Sequence, residues 1–229
     1  VGGTSVRSVG VNQDGRTANL TSPNGPAQQR VIAIALHLAS LQAAQLHTID
    51  AHGTGTALGD PIEVGALYAV FADGGSVLLG ALKSRLGHTE GAAGVMGVLK
   101  AVAVLGQGCS LPNLHLREAN PKLDLDGFAV AMPSGAIAVR QRIEQRMLES
   151  GVSSFGMSGT NAHATLGVSI ASSLALQEHH SVVHEHALFA WWNSESQVSR
   201  GDLLGAVVTP ETSRGTLSAS GAVWEHAWP

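Results

Sequence analysis

Thr48-Ile49-Asp50-Ala51-His52-Gly53-Thr54-Gly55-Thr56-Ala57-Leu58-Gly59-Asp60-Pro61-Ile62-Glu63 reads as a short strand, a glycine-rich loop and the start of a helix. Thr48 to Ala51 forms the strand and delivers His52-Gly53-Thr54-Gly55-Thr56. Asp60 is suited to cap the helix, Pro61 fits its first position, and Glu63 completes an Asp-x-x-Glu version of the capping box. The helix turns Ile62, Ala66, Leu67 and Val70 inward and ends near Asp73-Gly74-Gly75. A strand feeding a polar loop and then a helix is the repeating unit of an α/β protein.

The surrounding sequence repeats that alternation. Upstream, Thr4 to Val11 is strand-like and closes at Asn12-Gln13-Asp14-Gly15, a turn signal. Pro23-Asn24-Gly25-Pro26 launches a helix expected over 27–44, with Val31, Ile34, Ala35, Leu38 and Leu41 as its buried stripe. Downstream, Val77 to Ala81 is a buried strand, followed by a loop from Lys83 to His88. A small-residue helix is expected over 92–105, where Gly94 and Gly97 lower helix propensity and point to close packing against a neighbour. Phe128–Ala131, Ala136–Val139, Val152–Phe155 and Ala162–Val168 read as strands, the last two flanking the turn Gly156-Met157-Ser158-Gly159-Thr160. Apolar strands buried on both faces predict a layered α/β fold.

Composition removes several function classes. The chain has 229 residues, 44% of them hydrophobic, with 13 Lys+Arg against 17 Asp+Glu and a formal charge of −4. That supports a sizeable core and leaves no basic footprint for a nucleic-acid backbone. No apolar run approaches the roughly 18 residues of a membrane span. Cys109 is the only cysteine, which excludes an intrachain disulfide and a four-cysteine zinc site. The chain opens on Val1-Gly2-Gly3 with neither Met nor the charged and apolar segments of a signal peptide. The expectation is a cytoplasmic protein whose sequence begins inside a longer one, with an organelle such as a plastid as the eukaryotic variant.

Three loops gather polar groups in glycine-rich backbone: Asp50 to Thr56, Lys83 to Glu90, and Ser153 to His163. Glycine lets a backbone approach a ligand closely and adopt positive φ. A His with two neighbouring Thr hydroxyls offers donors to carbonyl oxygens and amides of an extended substrate; a second His beside a Lys adds a further donor and a positive charge. Taken singly, each loop has a plainer reading. His52 could sit in an ordinary turn, His88 in a satisfied core, Lys83 on a solvated surface, and Glu90 could support the next helix.

Taken in order, the loops resemble the C-terminal half of a β-ketoacyl synthase, specifically the ketosynthase domain of a polyketide synthase. The resemblance spans residues 1–170. It includes Val11-Asn12-Gln13-Asp14-Gly15, Pro23-Asn24-Gly25-Pro26-Ala27-Gln28-Gln29, the run from His52 to Glu63, and Lys83 with Gly87-His88. It implies the C-terminal half of a thiolase-like layered αβαβα fold. It also implies a decarboxylative Claisen condensation, in which a malonyl-type thioester loses CO2 and its enolate attacks an acyl thioester held on a cysteine. By the same resemblance His52 and His88 are the catalytic imidazoles, and Lys83 steadies the second imidazole with Glu90 as its counter-charge. Thr54 and Thr56 contact a phosphopantetheine arm. Phe155, Gly156 and Met157 form the turn behind the nucleophile, shaped by Asn161 and Ser158. The implied partners are an acyl carrier protein, which carries substrates on phosphopantetheine, other synthase domains of the same polypeptide, and a second copy joined through the N-terminal half. No cofactor or metal is expected in the domain itself.

Three departures from the family qualify that picture. The family's nucleophilic cysteine lies upstream, and Cys109 occupies a region without a catalytic residue, so the chain alone is expected to be inactive, with exposed apolar surface where its N-terminal half would pack. Arg85-Leu86 replaces a more usual Asn-Ile and is expected to alter the pocket rim. Met157 replaces a common Phe. The alternative function is a non-elongating relative that binds acyl chains and dimerises without condensing them. Thiolases share the fold, but their motifs do not place His-Gly-Thr-Gly-Thr and Lys-x-x-x-Gly-His in this arrangement.

Residues 171–229 change character. His179 to His186 is His-rich, read as a linker in preference to a metal site on His180 and His184. Trp191-Trp192, Asp202 to Ala206 and Val223-Trp224-Glu225 resemble the opening of a dehydratase-type hot-dog domain; a linker wrapped back by its Trp residues is the equal alternative.

Overall fold

β2 (Thr48–Asp50) and β3 (Val77–Gly80) are buried at every position, as strands covered on both faces must be. They are the parallel centre of a six-stranded sheet in the order β1 (Ser5–Gln13), β8 (Thr160–Ser169), β7 (Met147–Phe155), β2, β3, β5 (Val130–Ala131). The structure is a computed structural model and describes residues 3–19, 21–72, 74–139 and 147–169. The linker, hot-dog and His180/His184 readings of the tail lie outside the described residues.

β7 (Met147–Phe155) runs parallel to β2, while β5 (Val130–Ala131) runs parallel to β3. β8 (Thr160–Ser169) returns antiparallel to β7, and β1 (Ser5–Gln13) pairs antiparallel with β8 at the edge, with a bulge between Val6 and Ser8. A separate two-stranded ribbon joins β4 (Cys109–Ser110) to β6 (Ile137–Ala138).

Helices cover both sheet faces, giving the expected layers. On one side α1 (Gly25–Ala39) and α2 (Gly59–Val70) pack Val31, Ile32, Leu36, Val64 and Leu67 against Ile49, Val77, Leu79 and Phe155. On the other, α4 (Ala93–Gln107) packs Ala101 and Leu105 against Leu78, Leu148, Val152 and Leu166. Sheet residues alternate between the two cores because successive side chains of a strand point to opposite faces.

α4 lies close to the sheet because its glycines clear the way. A Cβ on Gly97 would stand 2.8 Å from Cγ1 of Val152, and one on Gly94 would stand 3.2 Å from Oγ of Ser154. Its other face leaves Val95, Leu99 and Val102 exposed at helical spacing, and the edge strand exposes Val6, Val9 and Val11.

Several sequence expectations are corrected. α1 stops at Ala39, not Ala44, because Ser40 turns left-handed (φ 55) and its N–H folds back to the carbonyls of His37 and Leu36; Ala43–Gln45 is a separate 3-10 turn. Its buried face comprises Ala27, Val31, Ile32, Ala35, Leu36 and Ala39, whereas Ile34 and Leu38 are exposed. The helix packs against the sheet and α2 together, so its apolar face is turned away from the stripe that spacing alone selected. The segment after Lys83 is one helical turn, α3 (Lys83–Leu86), ended by Gly87 at φ 72. Finally, α2 begins at Gly59 without a side-chain cap. Asp60 and Glu63 have other partners.

Candidate active site

β2 ends at Asp50, and the chain leaves the sheet as Ala51-His52-Gly53. Gly53 has φ 48, and a Cβ there would stand 2.7 Å from Cβ of Ala81, so the sharp departure needs a glycine. The loop is anchored from α2. Oε1 of Glu63 accepts the N–H of His52 at 2.7 Å, and Oε2 accepts that of Gly53 at 2.8 Å. Oδ1 of Asp60 accepts the N–H of Gly55 at 3.0 Å. The two carboxylates expected to cap α2 thus bind the histidine loop. The spacing suited either use, because an N-terminal turn of a helix and the loop before it present the same kind of free N–H groups.

His52 is also fixed from β7. The N–H of Phe155 donates to its Nδ1 at 3.3 Å, and the two rings lie 5.7 Å apart. His88, after Gly87, receives the N–H of Glu90 on its own Nδ1 at 2.8 Å. Each imidazole therefore accepts at Nδ1, which leaves Nε2 as the protonated nitrogen of the neutral ring. The ring centroids of His52 and His88 are 5.5 Å apart and nearly perpendicular, at 83°.

Both rings line a cavity of about 410 Å³. Of the residues expected at the site, Thr54, Thr56, Phe155, Gly156, Met157 and Asn161 line it as well. Oγ1 of Thr54 and Oγ1 of Thr56 are 3.3 Å apart. Met157 is 79% exposed at the mouth. Gly156 and Gly159 close the β7–β8 turn through Gly156 N–H to the Thr160 carbonyl at 2.6 Å and Gly159 N–H to the Gly156 carbonyl at 2.9 Å. Asn161 is buried and donates to Oδ1 of Asn12 at 3.1 Å and of Asp14 at 2.7 Å, tying the turn to the end of β1. Ser158 is exposed.

Lys83 and Glu90 do not line this cavity. Lys83 stands in an adjoining crevice with Asp50, Leu82 and Thr89. The carboxylates acting on its ammonium are Asp50 and Glu63. The expected pairing of Lys83 with Glu90 is not formed: the ion pairs among the described residues are Arg7–Glu149 and Lys100–Asp50. Glu90 is exposed, and its backbone serves His88 while its left-handed φ of 48 starts the turn into α4. Arg85 donates from Nε to the Pro112 carbonyl at 3.3 Å and Leu86 is exposed; neither reaches the cavity rim. Cys109 is half-buried in β4, away from the cavity.

Burial dominates the electrostatics. It lowers His52 from 6.5 to about 4, with Lys83 and then His88 adding positive charge nearby, so the ring is neutral at physiological pH. Burial raises Glu63 to about 7 against the two N–H groups that favour its anion. The Lys83 ammonium is pushed down by burial while Asp50 and Glu63 push it up. The cavity thus presents imidazole N–H donors backed by a cation, suited to a substrate whose oxygen gains negative charge during reaction.

Sequence reasoning gave no site role to Glu63, Asp14, Thr21, Pro23 or Gln28, all of which line the cavity. Four of them fall in the stretches Val11–Gly15, Pro23–Gln29 and His52–Glu63 that carried the resemblance, and that clustering was the available signal.

Comparison with known proteins follows the same lines. Residues 4–117 match the family described as β-ketoacyl synthase, C-terminal domain. The chain is 49% identical over 165 residues to the spectinabilin polyketide synthase system protein NorA' of Streptomyces orinoci, covering 70% of this chain and 4% of that protein. It is 44% identical over 165 residues to the pikromycin polyketide synthase component PikAII of Streptomyces venezuelae, again 70% of this chain and 4% of the relative. Among solved structures, it is similar to the oxazolomycin ketosynthase domain OzmH KS7 of Streptomyces albus JA3453, with a TM-score of 0.68 and 33% identity, over 73% of this chain and 30% of that one. The ketosynthase from module 6 of the bacillaene synthase of Bacillus subtilis 168 is similar at a TM-score of 0.67 and 30% identity, over 71% of this chain and 30% of that one. The chain therefore spans a small part of each curated relative.

Proposed function

Residues 4–117 belong to the C-terminal domain of the β-ketoacyl synthases, in the thiolase-like layered fold of polyketide synthase ketosynthases, and from that premise we propose that the His52–His88 cavity is one half of a decarboxylative condensation site. The observation that carries this reading is the pair of imidazoles, each accepting a backbone N–H at Nδ1 and so left with Nε2–H to donate, with ring centroids 5.5 Å apart over one cavity.

A malonyl-type thioester lies with its carbonyl oxygen between the two Nε2–H groups. The bond from its α-carbon to the carboxylate breaks, CO2 leaves, and the electron pair moves through the α-carbon onto that oxygen. The resulting enolate is stabilised by donors already in place, an effect commonly worth several kcal/mol (about 2.7–4 for one such donor). The enolate carbon then attacks the carbonyl of an acyl group held as a thioester on a cysteine. The tetrahedral oxyanion collapses, the carbon–sulfur bond breaks, and the cysteine leaves as thiolate. That cysteine is not Cys109; it comes from the remainder of the ketosynthase domain.

Within this reading Lys83 is an electrostatic support behind the wall, and Thr54 and Thr56 face the phosphopantetheine arm delivered by an acyl carrier protein. The turn Phe155-Gly156-Met157 completes the wall nearest the acyl group. The exposed Val95, Leu99 and Val102 of α4 are the surface on which the remainder of the domain packs, since an unpaired apolar stripe of this kind marks an interface. Residues 1–170 are the ketosynthase portion.

The test is release of CO2 from a malonyl thioester by the intact protein. His88→Ala is expected to remove that release and the condensation with it. Unchanged CO2 release in a folded His88→Ala protein overturns the assignment, while binding of acyl thioesters without any CO2 release by the unaltered protein favours the non-elongating alternative.

A further inference from the structure

Asp50 occupies the last position of β2, two residues before His52, and its side chain is buried. Its Oδ1 accepts from Nζ of Lys100 on α4 at 2.5 Å and from the backbone N–H of Leu82 at 3.0 Å. Leu82 is the residue that opens α3, immediately before Lys83. α4 continues directly from the His88-Thr89-Glu90 segment through a 3-10 turn. A single carboxylate therefore ties the strand that delivers His52 to the turn that carries Lys83 and to the helix that follows His88.

Two side chains are absent where this pair lies. A Cβ on Gly80 would stand 2.7 Å from Nζ of Lys100, and one on Gly97 would stand 3.2 Å from Oδ2 of Asp50. The glycine that lets α4 approach the sheet thus also makes room for the carboxylate. A buried ion pair is a weak source of net stability, because desolvating two charges offsets most of their attraction. Its value lies in direction: a carboxylate holding two donors in a dry site has few other places to go. Burial raises Asp50, and Lys100 and the Leu82 N–H oppose it.

We propose that Asp50 and Lys100 are a positioning pair, which fixes the His52 loop relative to the Lys83–His88 segment and so sets the separation of the two imidazoles. The kinetic consequence rests on the condensation reading; the geometric one does not. The charged groups facing Lys83 are Asp50 and Glu63, which hold its proton, and Lys100, which opposes it, so Asp50 also supports the charge of Lys83 behind the cavity.

The test uses the intact protein with Asp50→Asn, Lys100→Met and the double substitution. Asn keeps an oxygen for the Leu82 N–H while removing the negative charge that Lys100 faces. The double variant strands no charge, so it keeps a folded protein available if either single variant fails. Each folded single variant is expected to lose about 10- to 100-fold in kcat for CO2 release, with KM within about twofold. The double variant is expected to regain thermal stability without regaining kcat, and to show the His52 and His88 rings displaced from their 5.5 Å separation in a crystal structure. Recovery of kcat together with stability, or rings in unchanged positions, overturns the proposal. If the unaltered protein releases no CO2, the condensation reading fails, and the ring separation in the double variant still decides the positioning role.

Discussion

Glu63 accepts the backbone N–H of His52 at 2.7 Å and, through its other oxygen, that of Gly53 at 2.8 Å, so the N-terminal part of α2 and the histidine loop behave as one unit. Each stranded N–H costs about 1–3 kcal/mol when its acceptor is removed. Glu63→Ala is expected to lower stability by an amount in that range or above it, measured by denaturant unfolding. A stability within about 0.5 kcal/mol of the parent, the usual range for surface changes, would contradict the bracing role.

The same carboxyl predicts a pH effect on the loop. Its folded value of about 7 lies above the ordinary 4.5, so the native state takes up its proton first as pH falls. Its contribution to stability is therefore complete below 4.5 and declines as pH rises through about 7. Glu63→Gln, which stands in for the protonated form, is expected to remove any change in the protection of the His52 and Gly53 amides across neutral pH. Hydrogen exchange, corrected for intrinsic rates, reads this directly.

His163 gives the opposite sign. It is fully buried, with Nδ1 at 3.0 Å from Oγ of Ser153 and Nε2 unpartnered among the described residues. Burial lowers it from 6.5 to about 4, so the unfolded chain is protonated first. Its contribution is fully present above 6.5 and is lost as pH falls to about 4, a loss on the order of 3 kcal/mol. His163→Asn is expected to flatten that part of the stability–pH curve. An equally steep curve in the variant would refute the assignment.

Gly97 tests the packing of α4. Alanine has the better helix propensity by about 1 kcal/mol, yet its Cβ would meet Val152 at 2.8 Å and Asp50 at 3.2 Å. Overpacking of this kind costs about 1–3 kcal/mol. Gly97→Ala is expected to lower the unfolding midpoint, and a raised midpoint would mean that α4 can move away from the sheet.

Met157 tests the cavity mouth. At 79% exposed it contributes little to the core, so Met157→Ala is expected to leave stability within about 0.5 kcal/mol. It is expected to change KM for the acyl thioester, because Met157 lines the cavity. Unaltered KM across acyl chains of different length would place the mouth elsewhere.

The local features most legible in the sequence were those set by one residue's backbone needs. Pro26 and Asn24 start α1, the side chain of Asn24 accepting the Ala27 N–H at 3.1 Å, and Gly156 and Gly159 make the β7–β8 turn. The histidines were visible because each sits in a glycine-rich loop after a strand. What the sequence left open depends on partners distant along the chain. Asp60-Pro61-Ile62-Glu63 carries a helix-start pattern, and only the fold reveals that His52 and Gly53, 11 and 10 residues earlier, are the N–H groups nearest to Glu63. Ile34 and Leu38 satisfy helical spacing as well as the buried positions do, but α2 and the sheet meet α1 from another side. The link between Asp50 and Lys100 crosses 50 residues, beyond the reach of any periodicity.

A two-donor site depends most on which nitrogen of each of the two rings carries the proton. Nitrogen-15 spectra of the imidazoles of His52 and His88 at neutral pH, followed by acid titration, measure it directly. Each ring is predicted to keep Nδ1 as the acceptor of its backbone N–H with the ring proton on Nε2, and His52 to titrate near 4. A proton on Nδ1 of either ring, or a His52 that is already charged at neutral pH, would contradict a site built to donate two Nε2–H groups to one substrate oxygen.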